Sequence, residues 1–433
     1  MQNVIADGPA ERGGVIAGDK IVSVDGKPFV GKVVKNQEAM HRLKGEKGTK
    51  VTIGVLSYGN KKEKQITLVR DEIKTKSITA SYMLNSNTGY IKVKNFGENT
   101  YAELLVALAS LSQDNLQNLV IDLRDNTGGY MQTAVQMANE FLPAKRLITY
   151  MEGRKSPRKD FKSDGRGSYQ HIPLCVLINE GSASASEIFA GAIQDNDRGT
   201  VIGRRSFGKG LVQQQISFPD GSMIRLTIAR YYTPSGRCVQ ALDYSHRNED
   251  GSVGAIPDSL THEFKTAGGR TVRDGGGITP DVKLKDVNYS RLTYSLVLNG
   301  IVEQYALRYV MNHESIPAVD DFHFGDKDYE DFIDFAKTKE FDYRSSARTL
   351  FDQMKRELEK DGLKDNMGDE LAALEKALEM DKETFLKLKK DEVIPFIEEE
   401  IAVRYYFQEA GVRIRTRYDE QLKEAMKAEL IKL

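Results

Sequence analysis

The 433 residues carry 62 Lys and Arg against 63 Asp and Glu, so no global charge draws the chain to nucleic acid or to an anionic membrane surface. The only cysteines, Cys175 and Cys238, form no metal spacing and no evident disulfide framework, and the sequence contains no transmembrane run and no signal peptide. The length suits two or three domains, each able to bury a core.

The chain opens with Asn3–Gly26, which reads as a strand, a Pro/Ala helical turn and a strand pair closed by Asp25-Gly26. Lys35–Leu43 follows as a short amphipathic helix, and Lys50–Leu56 with Lys64–Val69 forms a hairpin. This succession resembles the middle of a PDZ domain, a module that binds peptide C-termini by strand addition beside a carboxylate-gripping loop. By that resemblance the first strand, the carboxylate loop and a targeting region would precede Met1. Residues 1–72 are therefore expected to be an N-terminally truncated, β-sandwich-like PDZ domain.

Lys74–Leu84 and Gly89–Val93 read as strands. Thr100 is a candidate cap for a helix over Tyr101–Leu111, with Leu104, Leu105, Leu108 and Leu111 inward. Asn118–Leu123 is a buried strand ending in Arg124-Asp-Asn-Thr-Gly-Gly, a strand-to-helix turn whose glycines suit positive φ. The P-loop lysine and serine are absent from it. Lys145–Ser168 is polar and reads as an exposed connection.

Ile172–Ile178 is an apolar run of strand length. After a turn at Asn179, Glu180 and Gly181, Ser184 or Ser186 can cap a helix ending near Asp195, with Ile188, Phe189, Ala192 and Ile193 on one face. A serine is thus delivered to a helix N-terminus, where free N–H groups and the helix dipole would stabilise an oxyanion. Thr200–Gly203 is a short strand, Arg204–Gly210 a loop with Lys209 between two glycines, and Leu211–Phe218 a strand. Lys209, Leu211 and Gln213 share a face if the extended stretch begins at the lysine. None of the six histidines stands near the serine turn in a recognisable motif. A serine nucleophile here needs another base, and a desolvated lysine can serve, with Gln213 orienting its amine. Residue types alone do not choose among Ser182, Ser184 and Ser186.

NEGSASASEIFAGAIQD followed by GRRSFGKGLVQ resembles the core of the carboxyl-terminal processing, or tail-specific, proteases of peptidase family S41. The resemblance implies that Ser184, the middle serine of the SASAS run, is the nucleophile and that Lys209 is the general base. Gln213 matches a glutamine that several bacterial members carry four residues after the lysine. The resemblance also implies an oxyanion hole from backbone N–H groups of Gly128 and Gly129, with Ala185 as second donor. The family usually shows RNNPGG or RGNPGG where this chain has RDNTGG, so Thr127 replaces a frequent proline. The segments Gly89–Gly97, Tyr232–Gln240 and Gly277–Val282 extend the likeness, and Leu242–Asp274 is a polar insertion between the last two.

From about Asn288 the composition shifts to Lys/Glu-rich helices at Tyr294–Met311, Tyr343–Lys360 and Lys382–Glu409, with Asn366–Met380 between the last two. The expected architecture is a multi-domain α/β protein: the partial PDZ domain, a ClpP/crotonase-related α/β catalytic core over 73–287, and an α-helical C-terminal domain over 288–433. The expected activity is a serine endopeptidase that cleaves proteins near their C-termini, without metal or cofactor, in the periplasm or cell envelope. Protein or peptide substrates with accessible C-termini, and an adaptor or a second copy of the chain, are the expected partners. A non-catalytic binding protein on the same scaffold is the alternative. Ser206-Phe-Gly-Lys209 matches the S-x-x-K of β-lactamases, but the partner SDN and KTG motifs are absent and the flanking glycines argue against a helix start.

Overall fold

Short runs of branched apolar residues flanked by turns build the centre of the chain, and Leu174-Cys-Val-Leu-Ile178 is buried at every position. The computed structural model describes residues 4–5, 8–30, 36–73, 75–244 and 247–427, the side chains of 365 and 366 excepted. It divides into two units, one of residues 1–75 and 287–418, the other of residues 76–286 and 419–433.

The first unit begins with α1 (Pro9–Arg12), α2 (Asn36–Leu43) and an antiparallel sheet of β1 (Lys20–Val24), β2 (Lys27–Pro28), β3 (Lys50–Leu56) and β4 (Lys64–Val69) in the order β2-β1-β3-β4. Asp25 and Gly26, at φ +47° and +73°, make the two-residue turn between β1 and β2. Val15, Val24, Val51, Ile53, Val55 and Ile66 form its core. Of the opening strand expected from Asn3, Val4 and Ile5 are described and belong to no strand, while Asn3 and the first residue of the helix expected from Lys35 lie outside the described residues.

The second unit is built on a six-stranded sheet. Its strands are β5 (Ile78–Met83), β6 (Thr88–Val93), β7 (Asn118–Asp122), β10 (Leu174–Ile178), β11 (Thr200–Gly203) and β16 (Val282–Lys283), in the order β16-β11-β10-β7-β6-β5. All neighbours are parallel except β5 with β6. Helices α3 (Thr100–Gln113), α4 (Met131–Phe141) and α5 (Ala185–Asp195) pack into the same core, with Leu104, Leu108, Phe141, Phe189 and Ile193 fully buried. A second sheet, in the order β12-β13-β8-β9, joins β8 (Leu147–Gly153), β9 (Ser156–Lys162), β12 (Leu211–Ser217) and β13 (Met223–Tyr232). The polar stretch 145–168, expected to be a connection, is thus largely a hairpin. Every residue of β9 is at least partly exposed, so the strand has no apolar face to announce it. The insertion after Leu242 carries a small hairpin of β14 (Glu263–Lys265) and β15 (Thr271–Arg273).

The helices that complete the first unit are α6 (Arg291–Leu298), α7 (Ile301–Asn312), α8 (Asp326–Lys337), α9 (Ser346–Lys360), α10 (Gly368–Leu378), α11 (Lys382–Leu388) and α12 (Lys390–Arg417). The helix expected over Tyr294–Met311 is two helices, because Gly300 takes φ +64° between α6 and α7. Likewise, Lys382–Glu409 is split between α11 and α12. Tyr305, Phe332, Phe324 and Ile397 centre this core, and Leu307 and Met311 lie against Gly18 and Gly59 of the first sheet's loops. The last helix, α13 (Glu420–Ala425), belongs to the second unit. Among the described residues no helix is long and apolar enough to cross a membrane.

Burial, opposed by Arg415 at 3.2 Å, pushes the Glu399 carboxyl on α12 up to about 7 from its ordinary 4.5. Folding therefore takes up a proton there. The stability this contributes is full below pH 4.5 and is lost as pH rises through about 7. Glu399→Gln should remove that loss, raising stability at pH 8 by up to about 3 kcal/mol while leaving it nearly unchanged at pH 4.5. Calorimetric melting at the two pH values checks this.

Candidate active site

Because β7, β10 and β11 run parallel, the chain leaves all three at the same sheet edge, where open α/β sheets gather their ligands. The three exits are the Arg124–Gly129 turn, the Asn179–Ser184 turn and the Arg204–Gly210 loop. Side-chain amides and hydroxyls tie the first two together. Asn179 Oδ1 accepts from the N–H of Asp125 at 2.8 Å and of Gly181 at 3.0 Å, and Asn179 Nδ2 donates to Asp125 Oδ1 at 2.9 Å. The Ala183 N–H donates to the Asn126 carbonyl at 3.0 Å.

The three serines of the turn have different surroundings. Ser182 Oγ donates to the Leu123 carbonyl and Ser186 Oγ to the Asn126 carbonyl, each at 2.8 Å, and both side chains are fully buried. Ser184 is half-buried, and its backbone sits at φ +57°, ψ −112°. A non-glycine residue there carries strain of about 1–3 kcal/mol, which persists only where the surroundings fix it. It immediately precedes α5, all eleven residues of which are buried.

What fixes Ser184 is Glu187, one turn into the helix and 1% exposed. Glu187 Oε2 accepts from the backbone N–H of Ser184 and of Lys209, each at 2.8 Å. Its Oε1 accepts from Ser206 Oγ and from the Gly208 N–H, each at 2.7 Å. One carboxylate therefore holds the serine turn and the lysine loop. Burial raises the Glu187 carboxyl above its ordinary range, and these four donors oppose that rise. Ser206 Oγ also accepts from the Ile278 N–H at 2.6 Å, and the Phe207 N–H donates to the Ser182 carbonyl at 3.0 Å. The buried Tyr231 hydroxyl donates to the Lys209 carbonyl.

Ser184 and Lys209 thus share a carboxylate oxygen through their backbones, while the Lys209 side chain extends into solvent. Gln213 is exposed on β12, opposite Thr227, and among the described residues its side chain hydrogen-bonds to neither Ser184 nor Lys209. The strand begins at Leu211, so Lys209 belongs to the loop.

Gly128 and Gly129 take φ +100° and +151°. A Cβ on Gly128 would lie 2.8 Å from Ser184 Cβ and 2.9 Å from the Ala185 nitrogen, so only glycine allows the turn to lie against the serine. The Gly128 N–H donates to Asn126 Oδ1 at 2.9 Å. No hydrogen bond among the described residues engages the N–H of Gly129 or of Ala185.

Behind this turn, buried Asp122 accepts from Tyr90 Oη at 2.7 Å, Lys92 Nζ at 3.0 Å and the Arg124 guanidinium at 2.7 Å. Burial opposes its charge, yet Arg124 and Lys92 hold the carboxyl far below the usual range. Arg124 also pairs with Asp419 at 2.5 Å and donates to Gln421 at 3.3 Å, so α13 is moored beside the turn. Among the described residues no group of three His, Cys, Asp or Glu side chains is placed to hold a metal ion.

Residues 87–245 match the model of peptidase family S41, residues 2–55 that of the PDZ domain, and residues 292–428 that of the probable PDZ-protease C-terminal helical domain. The central unit carries a peptidase family S41 domain. The chain is 38% identical over 242 residues to a carboxy-terminal-processing protease of Bartonella bacilliformis, covering 55% of each protein. It is 35% identical over 262 residues to a carboxyl-terminal-processing protease of Synechocystis sp., covering 60% of this chain and 58% of that one. The matches thus span little more than half of these curated relatives. A solved structure of a photosystem II D1 C-terminal processing protease aligns with 66% of this chain and 67% of its own at 28% identity, with a TM-score of 0.37.

Within the S41 domain, Glu187, Asn126 and Tyr231 escaped the reading of the sequence, although the Ser184-Ala-Ser-Glu187 spacing has the form of a helix capping box. Glu187→Ala would leave four donors without their acceptor at a buried site. It should cost about 3–5 kcal/mol and raise hydrogen exchange at the Gly208 and Lys209 amides more than in β7 or β10. Mass-spectrometric exchange on the variant and its parent checks both the loss and its location.

Proposed function

We propose that the chain is a serine endopeptidase that cleaves proteins near their C-termini, with Ser184 as nucleophile and Lys209 as general base. Ser184 Oγ attacks the scissile carbonyl carbon while its proton passes to Lys209 Nζ. The resulting oxyanion lies between the N–H groups of Ala185, at the positive end of α5, and of Gly129. Gly128 contributes its missing Cβ. Collapse of the tetrahedral intermediate breaks the C–N bond, and the departing amine takes the proton from Lys209. The acyl group left on Ser184 is then released by water, with Lys209 again accepting the proton. Gln213, on the strand that leaves the lysine loop, orients the amine once substrate covers it.

One observation carries this reading: of the three serines in the turn, Ser184 alone has a strained backbone and lies under the Gly128 turn, and the carboxylate that bonds its N–H also bonds the N–H of Lys209. The commitment of Ser182 and Ser186 to backbone carbonyls supports the same choice. The exposed Lys209 side chain implies that bound polypeptide must exclude water before the lysine acts as a base. An unfolded or extended C-terminal segment is the substrate such a site can admit, and the PDZ domain is the module that would deliver it. The relatives' names favour C-terminal processing, and the setting we propose for it is protein processing or degradation in the cell envelope.

Incubation of the protein with an unfolded polypeptide should release C-terminal fragments detectable by mass spectrometry. Ser184→Ala and Lys209→Ala should each lower the rate at least about 10³-fold with folding intact, as losses of a nucleophile or its base do. Full activity in either variant would remove the assignment.

A further inference from the structure

Helix α12 turns back on itself at a single residue. Phe407 takes φ +62°, ψ −164°, a region essentially reserved for glycine, while residues on both sides are helical. The two arms lie antiparallel: Glu399 pairs with Arg415 at 3.2 Å and Glu398 with Arg417 at 3.1 Å. A Cβ on Gly411 would lie 2.7 Å from Val403 Cγ2. Helical hairpins ordinarily spend 2–5 residues on such a reversal. The sequence opposes the turn as well. Residues 396–417 contain no proline and one glycine, Gly411, which lies beyond the reversal inside the second arm.

We propose that two copies of the chain exchange residues 408–427. Phe407 then adopts ordinary helical angles, α12 runs as one helix of 28 residues, and each second arm makes in the other copy the contacts it makes here in its own. Both forms contain the same apolar burial and the same ion pairs, so the balance rests on the hinge and on protein concentration. A short strained hinge is the arrangement that favours exchange. The exchanged segment continues into α13, so the Asp419 carboxylate held by Arg124 beside the Gly128 turn comes from the second copy.

Two measurements on the full chain test the proposal. Val403→Cys with Gly411→Cys places the thiols across the two arms. After oxidation, a denaturing gel without reductant should show a covalent dimer, whereas a cross-link confined to single chains overturns the exchange even if the protein is dimeric by another route. Phe407→Gly and Phe407→Ala remove the same side chain but differ in backbone preference: glycine accepts the reversal and weakens the straight helix, and alanine does the opposite. Light scattering across a dilution series should show Phe407→Gly dissociating at a concentration at least tenfold higher than Phe407→Ala. Equal dissociation of the two, or a parent that is monomeric throughout, also overturns it.

Discussion

The Glu187 carboxylate is the constraint on which the site depends. Parallel strands bring the serine turn and the lysine loop to one edge, but strand order fixes loop positions only coarsely. Four donors from two loops converge on Glu187, and hydrogen bonds to an ionised acceptor are among the stronger ones a protein makes. Burial works against the charge, which is why the arrangement needs all four. The carboxylate also stands in the first turn of α5, where the helix dipole favours it.

The far end of α5 is held in a comparable way. Asp195, also buried, accepts from Ser235 Oγ at 2.6 Å and from Thr233, and pairs with the fully buried Arg237 at 2.8 Å. A carboxylate at a helix C-terminus opposes the dipole, and the guanidinium beside it compensates. Between these two anchors the helix has no exposed residue, so it is fixed along its length as well as in its axis. The N–H groups at its start are consequently held in place by packing that lies well away from Ser184.

Much of this was legible in the sequence where a single periodicity or turn chemistry decides the outcome. The buried strand Leu174–Ile178, the Asp25-Gly26 turn and the serine placed at the start of α5 are of that kind. What escaped depends on partners distant along the chain. Glu187 reads as an ordinary second half of a capping box, and nothing local says that its other oxygen meets Ser206 and Gly208. Tyr231 reads as a strand aromatic until β13 brings its hydroxyl to Lys209. The hairpin of β8 and β9 was hidden because β9 is polar on both faces, and the expected phase of Lys209 with Gln213 assumed a strand that begins only at Leu211. The PDZ and helical segments were recognisable by composition and order, whereas the return of α13 to the central unit has no local signal.

Two non-glycine residues with left-handed φ, Ser184 and Phe407, show that strain has different meanings in different settings. Around Ser184 the backbone is fixed from three sides: Glu187 bonds its N–H, the Gly128 turn lies against its Cβ, and Ala183 before it is tied to Asn126. Those partners hold the strained backbone in place, and it aims the side chain. Around Phe407 the bonds that hold the hairpin lie away from the hinge, at Glu398, Glu399, Arg415 and Arg417. They constrain which arms meet, not which chain each arm belongs to. Strain that the surroundings determine becomes part of a site; strain that they leave undetermined becomes a hinge.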